Sequence, residues 1–429
     1  MIEKIISWSV HNRFFVSIGI ALIVFAGLYS IYTTPVDAIP DLSENQVIIY
    51  TEWMGRNPQI MEDQITYPLV ANLQGIPRIK SVRASSMFGM SFVFVIFQDD
   101  VDIYWARSRV LERLSYAQKL LPPGITPTIG PDGTGVGHVY WYTLQGTDYN
   151  LGELRAIQDW YVKFALQNVA GVSEVASFGG FQKQYQVVIN PNKLVYYNIP
   201  LMKVLSAVSR NNRDVGGSLF EMNDTGYLIK GLGYIKSLED VKNIPVGTYN
   251  SIPITLQQVA TIQMGGELRL GITDENGEGE VVGGIVVMRY GENAKDVIER
   301  VKTKLAQVQK GLPPGVTFNV AYDRSELING AIDTLKESIS EEVIMVSIVV
   351  LIFLFHFGSG LVAIINIPLS ILIGFILMKT FGVTSNLMSL GGVALAVGDL
   401  VDSGIVMAEN GYRQLTNQVL HIDDQQPDA

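Results

Sequence analysis

Asp399, Asp402 and Glu409 have the types and spacing that could do chemistry. They occupy an otherwise apolar run, Met388-Ser-Leu-Gly-Gly-Val-Ala-Leu-Ala-Val-Gly-Asp-Leu-Val-Asp-Ser-Gly-Ile-Val-Met-Ala-Glu-Asn410. A charged acid near the centre of a bilayer costs about 2.5–3.5 kcal/mol on insertion scales. On a helix turning about 100° per residue, all three acids fall within an arc of roughly 80°. Gly391, Gly398 and Met388 share that face, and small residues let a neighbouring helix approach closely. Acids so placed face a helix bundle, where burial favours the protonated form and a nearby cation the ionised one. Such groups can load and release a proton. Met388 adds a thioether, a soft ligand suited to Cu(I) or Ag(I).

These residues need membrane helices to position them. No Asp, Glu, Lys or Arg occurs from Phe14 to Val36, enough for one span of about 20 residues. The run is too long for the core of a signal peptide, and no small-x-small cleavage site follows it. Lys4 and Arg13 precede it and Asp37 and Asp41 follow, so the positive-inside bias puts the N-terminus in the cytoplasm. Residues 1–13 read as a cytoplasmic or interfacial helix and 14–33 as the first membrane helix. The uncharged tract from Val343 to Met378 is broken at His356-Phe-Gly-Ser-Gly360 and reads as two helices, 340–357 and 361–379. A fourth covers 386–411, with a polar tail at 412–429. Both ends then lie inside, and the region between the first and second helices lies outside.

That outer region alternates apolar strands (Phe92–Phe97, Tyr185–Ile189, Gly284–Met288) with amphipathic helices (about Trp105–Leu120 and Ala294–Lys310). It also repeats itself. Lys119-Leu-Leu-Pro-Pro-Gly-Ile-Thr126 matches Lys310-Gly-Leu-Pro-Pro-Gly-Val-Thr317. Each copy follows a strand and a helix and leads into another strand-like run, which implies two related α+β units. The stretch from about Phe181 to Gly271 is extra and reads as an insertion.

Composition narrows the function. Charged residues make up 17%, below the roughly 25% of soluble domains, which favours a membrane protein. The net charge of −10 argues against a nucleic-acid partner. With no cysteine, thiolate sites and disulfides are excluded. The histidines form no ligand cluster, and His138 reads as structural. No nucleophile elbow or phosphate-binding glycine loop points to an enzyme. A sensor would need a cytoplasmic signalling domain, and the tail after Gly411 is too short for one. Met54 with Met61, and Met87 with Met90, read as packing residues.

Several stretches together make the chain resemble the heavy-metal efflux branch of the resistance–nodulation–division superfamily, the CusA/CzcA type. They are Thr34-Pro-Val-Asp-Ala-Ile-Pro-Asp-Leu-Ser43, Gln64-Ile-Thr-Tyr-Pro-Leu69, Tyr104-Trp-Ala-Arg-Ser-Arg-Val-Leu111, Gly277-Glu-Gly-Glu-Val-Val-Gly-Gly284, Tyr322-Asp-Arg-Ser325 and the run through Asp402 to Asn410. The resemblance implies an α-helical transmembrane bundle with an α+β periplasmic domain of repeated ferredoxin-like porter subdomains and an inserted docking subdomain. The first porter subdomain is expected at 34–132, the second at 133–180 and 272–335, and the docking subdomain at 181–271. Asp402 and Glu409 take the family's proton-relay positions, with Asp399 as an additional acid, and Met388 takes a proposed metal-path position. The resemblance implies a proton antiporter of the bacterial inner membrane with no permanently bound cofactor. It would act as a homotrimer, with a periplasmic adaptor and an outer-membrane channel as partners. The cargo expected is Cu(I) or Ag(I), because the divalent-metal type carries an acid where Ala396 stands here. Export of divalent cations (zinc, cobalt, cadmium or nickel) or of organic compounds, or an inactive fragment, are the alternatives. Members of the family are more than twice this long, with twelve membrane helices.

Overall fold

The computed structural model describes residues 8–9, 11–223, 225–269, 271–354, 357–396, 399, 403, 406, 407 and 410. Residues 1–7 and 10 of the expected helix over 1–13, and the whole tail over 412–429, lie outside them. Helix α1, Arg13–Thr33, is about 31 Å long at 1.5 Å per residue, which matches a bilayer's hydrocarbon core. Among the described residues it is the one helix long and apolar enough to cross a membrane; the apolar stretches Ile365–Thr380 and Leu387–Ala396 are shorter.

After α1 the chain builds the same unit twice. The first runs β1 (Gln46–Glu52), α2 (Pro58–Met61), a π turn (Glu62–Thr66), α3 (Tyr67–Leu73), β2 (Ile79–Met87), β3 (Met90–Phe97), α4 (Ile103–Ala117) and β4 (Thr128–Ile129). The second runs β5 (His138–Gln145), α5 (Leu151–Ile157), a π turn (Gln158–Val162), α6 (Lys163–Gln167) and β6 (Val172–Gly179). The sheet orders are β2-β3-β1-β4 and, once the later strands β13 (Val282–Met288) and β14 (Thr317–Asp323) are added, β14-β5-β13-β6. Both are the antiparallel βαββαβ order of a ferredoxin-like unit. Between β13 and β14 lies α11 (Ala294–Gln309), the counterpart of α4.

Alternation explains the layers. In β1 and β3, Val47, Ile49, Val93 and Val95 turn to one face and are fully buried against Ile65, Leu69, Val110 and Leu114 of the helices. In the second unit Tyr142, Val175 and Val286 do the same against Leu166, Val297, Ile298 and Val301. Each π turn contributes a buried polar pin. Thr66 Oγ1 bonds the hydroxyls of Ser86 (2.8 Å) and Ser91 (2.7 Å). Gln158 accepts from the Tyr142 hydroxyl (3.1 Å) and donates to Ser177 Oγ (3.3 Å). A Cβ at Gly284 would sit 2.4 Å from the Tyr142 hydroxyl, so the glycine makes room for that pin.

The insertion leaves through β7 (Lys183–Ile189) and returns through β12 (Ala260–Gly266), which pair antiparallel from Lys183↔Gly266 to Ile189↔Ala260. Between them lie α7 (Pro191–Tyr196), α8 (Leu201–Arg210), β8 (Val215–Met222), β9 (Thr225–Gly231), α9 (Leu238–Lys242), β10 (Pro245–Tyr249), β11 (Ile252–Thr255) and α10 (Leu256–Val259). This segment has its own core of Leu194, Val204, Val241, Val246, Ile254 and Leu256. The β8–β9 hairpin is exposed along its length.

Helix α12, Arg324–Leu354, starts directly after β14 and runs 31 residues. It therefore begins well before the apolar run at Val343. Asp323 accepts the Ser325 N–H at 2.9 Å, satisfying one of the free donors of the first turn. Helix α13, Phe357–Thr380, packs on α1. A Cβ at Gly27 would lie 2.6 Å from Leu372 Cβ, so glycine sets how closely the two helices approach. Lys379 donates to Thr33 Oγ1 at 2.5 Å and lies 3.8 Å from the Tyr29 ring centroid. Helix α14, Leu387–Ala396, is the described beginning of the acid-bearing run.

Candidate functional site

The site is assembled where the globular part meets α14. Asn386 caps that helix: its side-chain oxygen accepts the N–H of Met388 and of Ser389, both at 3.0 Å, while Ser389 Oγ accepts the Asn386 N–H at 2.9 Å. The residue before the cap is stitched to the segment that leaves α1. Val36 and Ser385 form a parallel bridge. Ser385 donates to the Pro35 carbonyl (2.9 Å) and accepts from the Asp37 N–H (3.0 Å), and the Leu387 N–H reaches the Ala38 carbonyl (3.2 Å).

Asp37 then ties this stitch to α12. Both of its carboxylate oxygens lie 3.3 Å from Arg324 Nη1. The Arg324 side chain is 6% exposed and that of Asp37 17%. Burial raises the Asp37 carboxyl above its ordinary 3.8, and Arg324 with the N–H groups of Ala38 and Ile39 offsets this only in part. Arg324 Nε is buried with no hydrogen-bond partner, so Asp37 is what compensates this guanidinium. Next along the chain, Asp323 pairs with Lys302, which also donates to Ser325 Oγ at 2.9 Å. Burial works against the charged Asp323, but Lys302 and Ser325 outweigh it and hold the carboxyl below 3.8. Burial, and after it the Asp323 charge, push the nearby Tyr140 hydroxyl up to about 12.

A second lock joins the two ferredoxin-like units. Arg107 donates to the carbonyls of Gly130 (2.8 Å) and Pro131 (3.2 Å) in the connecting segment. Asp132 accepts from Ser173 Oγ and from the Tyr104 hydroxyl (3.1 Å), with Arg289 at 3.7 Å. Burial opposes its charge, but Ser173, Tyr104 and Arg289 together lower its pKa.

These shifts fix a pH dependence. Asp132 and Asp323 lie below 3.8 when folded, so their stabilisation is full above the unfolded value and lost as pH falls through the folded one. Asp37 has the opposite sign: its contribution is present below 3.8 and lost as pH rises through its raised folded value. Asp323→Asn should therefore melt lower than wild type near pH 6 and converge on it as pH falls through the lowered folded value of the carboxyl. Parallel melting curves across that range would refute the assignment.

The residues read from the sequence are distributed as follows. Met388 lies in the first turn of α14 and is 74% exposed. Asp399 is exposed, and its backbone carbonyl accepts Ser403 Oγ at 3.0 Å. Asp402 and Glu409 lie outside the described residues. The structure adds Asp37, Arg324 and Asn386. The first two stand in the two motifs Thr34–Ser43 and Tyr322–Ser325, and the cap is signalled by Asn386 three residues before Ser389. An apolar groove of about 570 Å³ runs beside the stitch between α12 and α14, lined by Leu327, Gly330, Ala331, Leu390, Gly391 and Ala394 among others.

A duplicated ferredoxin-like unit with an insertion, joined through this junction to the apolar helix α1 and to α12 and α14, defines a class. The chain belongs to the AcrB/AcrD/AcrF family, whose profile matches residues 5–426. It is 48% identical to the putative cation efflux system protein SilA of Salmonella typhimurium, over 97% of this chain and 40% of that protein. It is 47% identical to the cation efflux system protein CusA of Escherichia coli K12, over 100% of this chain and 41% of that one. A crystal structure of a heavy metal efflux pump superposes with a TM-score of 0.85 at 31% identity, covering 98% of this chain and 42% of that chain. The chain thus spans about two fifths of the length of the curated relatives it matches.

Proposed function

We propose that this chain forms the N-terminal part of a proton-driven efflux pump for a soft monovalent cation, Cu(I) or Ag(I). The observation that carries this reading is the 47–48% identity, along nearly the whole chain, to proteins named as cation efflux systems. Identity to the cobalt-zinc-cadmium resistance protein CzcA of Cupriavidus metallidurans is lower, at 36%, and Ala396 stands where that type is expected to carry an acid. In this reading α1, α12, α13 and the helix beginning with α14 span the bacterial inner membrane and belong to a larger bundle. The two ferredoxin-like units are porter subdomains in the periplasm. The insertion, with its exposed β8–β9 hairpin, is the docking subdomain, and it supports assembly as a trimer with a periplasmic adaptor and an outer-membrane channel. Asp402 and Glu409, with Asp399, carry protons along one face of the fourth helix. Met388, at the exposed start of that helix, hands cargo toward it.

Growth separates the alternatives. The complete pump and its Asp402→Asn variant, at matched expression in a strain lacking its own pump, are compared on copper, silver, zinc and cobalt. The expected result is tolerance to silver and copper that falls to the empty-vector level in the variant. Undiminished tolerance in the variant would remove Asp402 from the relay. Tolerance to zinc or cobalt alone would overturn the cargo.

A further inference from the structure

Met54, seven positions before Met61 in the sequence, is not its partner in space. Met61 is fully buried in the first unit's core, whereas Met54 is 48% exposed. The chain leaving β1 instead wraps the tip of the β2–β3 hairpin: Trp53 donates to the Gly89 carbonyl (2.8 Å), and Gly89 donates to the Arg56 carbonyl (2.9 Å). Gly89 has φ +71°, and the Met54 sulfur lies 3.0 Å from where a Cβ on Gly89 would stand. Met87 and Met90 close the two-residue turn Phe88-Gly89 as a directly opposed pair, which places their side chains about 5 Å apart at Cβ. The next pair, Ser86↔Ser91, points into the core toward Thr66. By the two-residue period of a strand, Met87 and Met90 turn the other way. Met54, Met90 and Glu52 line one cleft of about 720 Å³, and Glu52 stands opposite Met90 across the sheet. The three methionines thus border one hairpin tip, Met54 and Met90 lining the cleft and Met87 paired beside Met90, with Met54 and Met87 about half exposed.

We propose that Met54, Met87 and Met90 form a binding site for a soft monovalent cation on the outer region. Thioethers bind Cu(I) and Ag(I) and discriminate against hard divalent ions. A carboxylate in the same cleft, Glu52, compensates the charge. The two arginines that also line the cleft are already engaged: Arg155 with Asp159 (2.8 Å) and the Gly179 carbonyl (2.7 Å), Arg269 with Glu280. A site on an exposed rim would capture cargo before any step in the membrane. The inference takes its cation class from the proposed function, but its test reads binding, not growth.

The probe is Ag(I), which is redox-inert under these conditions, titrated into the complete pump purified in detergent. Bound silver per chain is counted for wild type, for Met54→Leu/Met87→Leu/Met90→Leu and for Met61→Leu. Leucine replaces methionine at nearly constant volume, and the buried Met61 controls for that change. The triple variant is expected to lose one silver equivalent per chain, and Met61→Leu none. In parallel, peroxide oxidation of the wild-type pump is mapped by peptide mass spectrometry with and without silver. Bound metal should protect Met54, Met87 and Met90 from sulfoxide formation, a readout that needs no variant to fold. Unchanged silver binding in the triple variant, or equal oxidation with and without silver, would overturn the site and assign these methionines to packing against another surface. Silver bound here by a pump that confers no metal tolerance would sink the export reading alone. Export that persists without silver binding here would sink the site alone.

Discussion

Replacing Asp37 by leucine is expected to destabilise the fold by about 3–5 kcal/mol, the usual cost of removing one partner of a buried ion pair. The cost arises because Arg324 stays behind. Its side chain is 6% exposed, and its Nε already lacks a hydrogen-bond partner, so losing Asp37 leaves a buried charge uncompensated. The variant also gives up the bond from the Ala38 N–H to the carboxylate, 2.6 Å long. The pair need not itself be a net source of stability, since apolar replacement of both members of a buried pair is often neutral. Asp37→Leu/Arg324→Met should therefore regain most of the loss, and the two substitutions should be strongly non-additive. The measurement is the apparent melting temperature of the purified pump for each single variant and the double. Additive losses would show that the two side chains do not act as a pair.

Alanine at Gly179 should be equally damaging, for a steric reason. Gly179 ends β6 with φ +69°, a region that costs an L-residue roughly 1–2 kcal/mol. Its Cβ would stand 1.8 Å from the Val281 carbonyl oxygen and 3.0 Å from the Val281 carbonyl carbon. Both are backbone atoms at the edge of β13 and cannot rotate away. Overpacking of this kind adds about 1–3 kcal/mol or more, and relief would disturb the Arg155 bond to the Gly179 carbonyl. Gly315 is the internal control. It has φ +84° but open space around its Cβ position, so Gly315→Ala should cost only the backbone term, about 1–2 kcal/mol. Comparing folded yield and melting temperature of the two variants checks the argument. Equal behaviour would mean that β13 yields more easily than its two neighbouring strands suggest.

The duplication was legible because it is local. Gly124 and Gly315, in the repeated octamer, both take φ +84°, so the sequence match reports the same turn built twice. The strands at Phe92–Phe97 and Gly284–Met288 and the helices α4 and α11 were legible because apolar residues recur at the right period. Strand β4 is two residues long, too short for any period to register. The start of α12 was hidden because its first turns are polar, so hydropathy marks only where the apolar part begins. Asp37 and Arg324 are 287 residues apart. Each stood in a motif, but only the fold pairs them. Met54 shows the same limit: sequence distance grouped it with Met61, while the hairpin wrap groups it with Met87 and Met90.

The bridge between Val36 and Ser385 gives the junction a mechanical character. The segment leaving the C-terminal end of α1 and the first residue of α14 are joined by backbone bonds, and Asp37 anchors the same point to α12. Three helix ends therefore meet at one pivot, and none can slide along its axis without the others. What remains is rotation about that point. Along the nine steps from Leu387 to Ala396 the lever arm is about 14 Å. A tilt of about 10° would carry its far end about 2 Å, and any group farther along the same axis proportionally more. A pivot of this kind turns a small change at the globular end into a larger displacement deep in the helices, and the reverse journey scales motion down while gaining force.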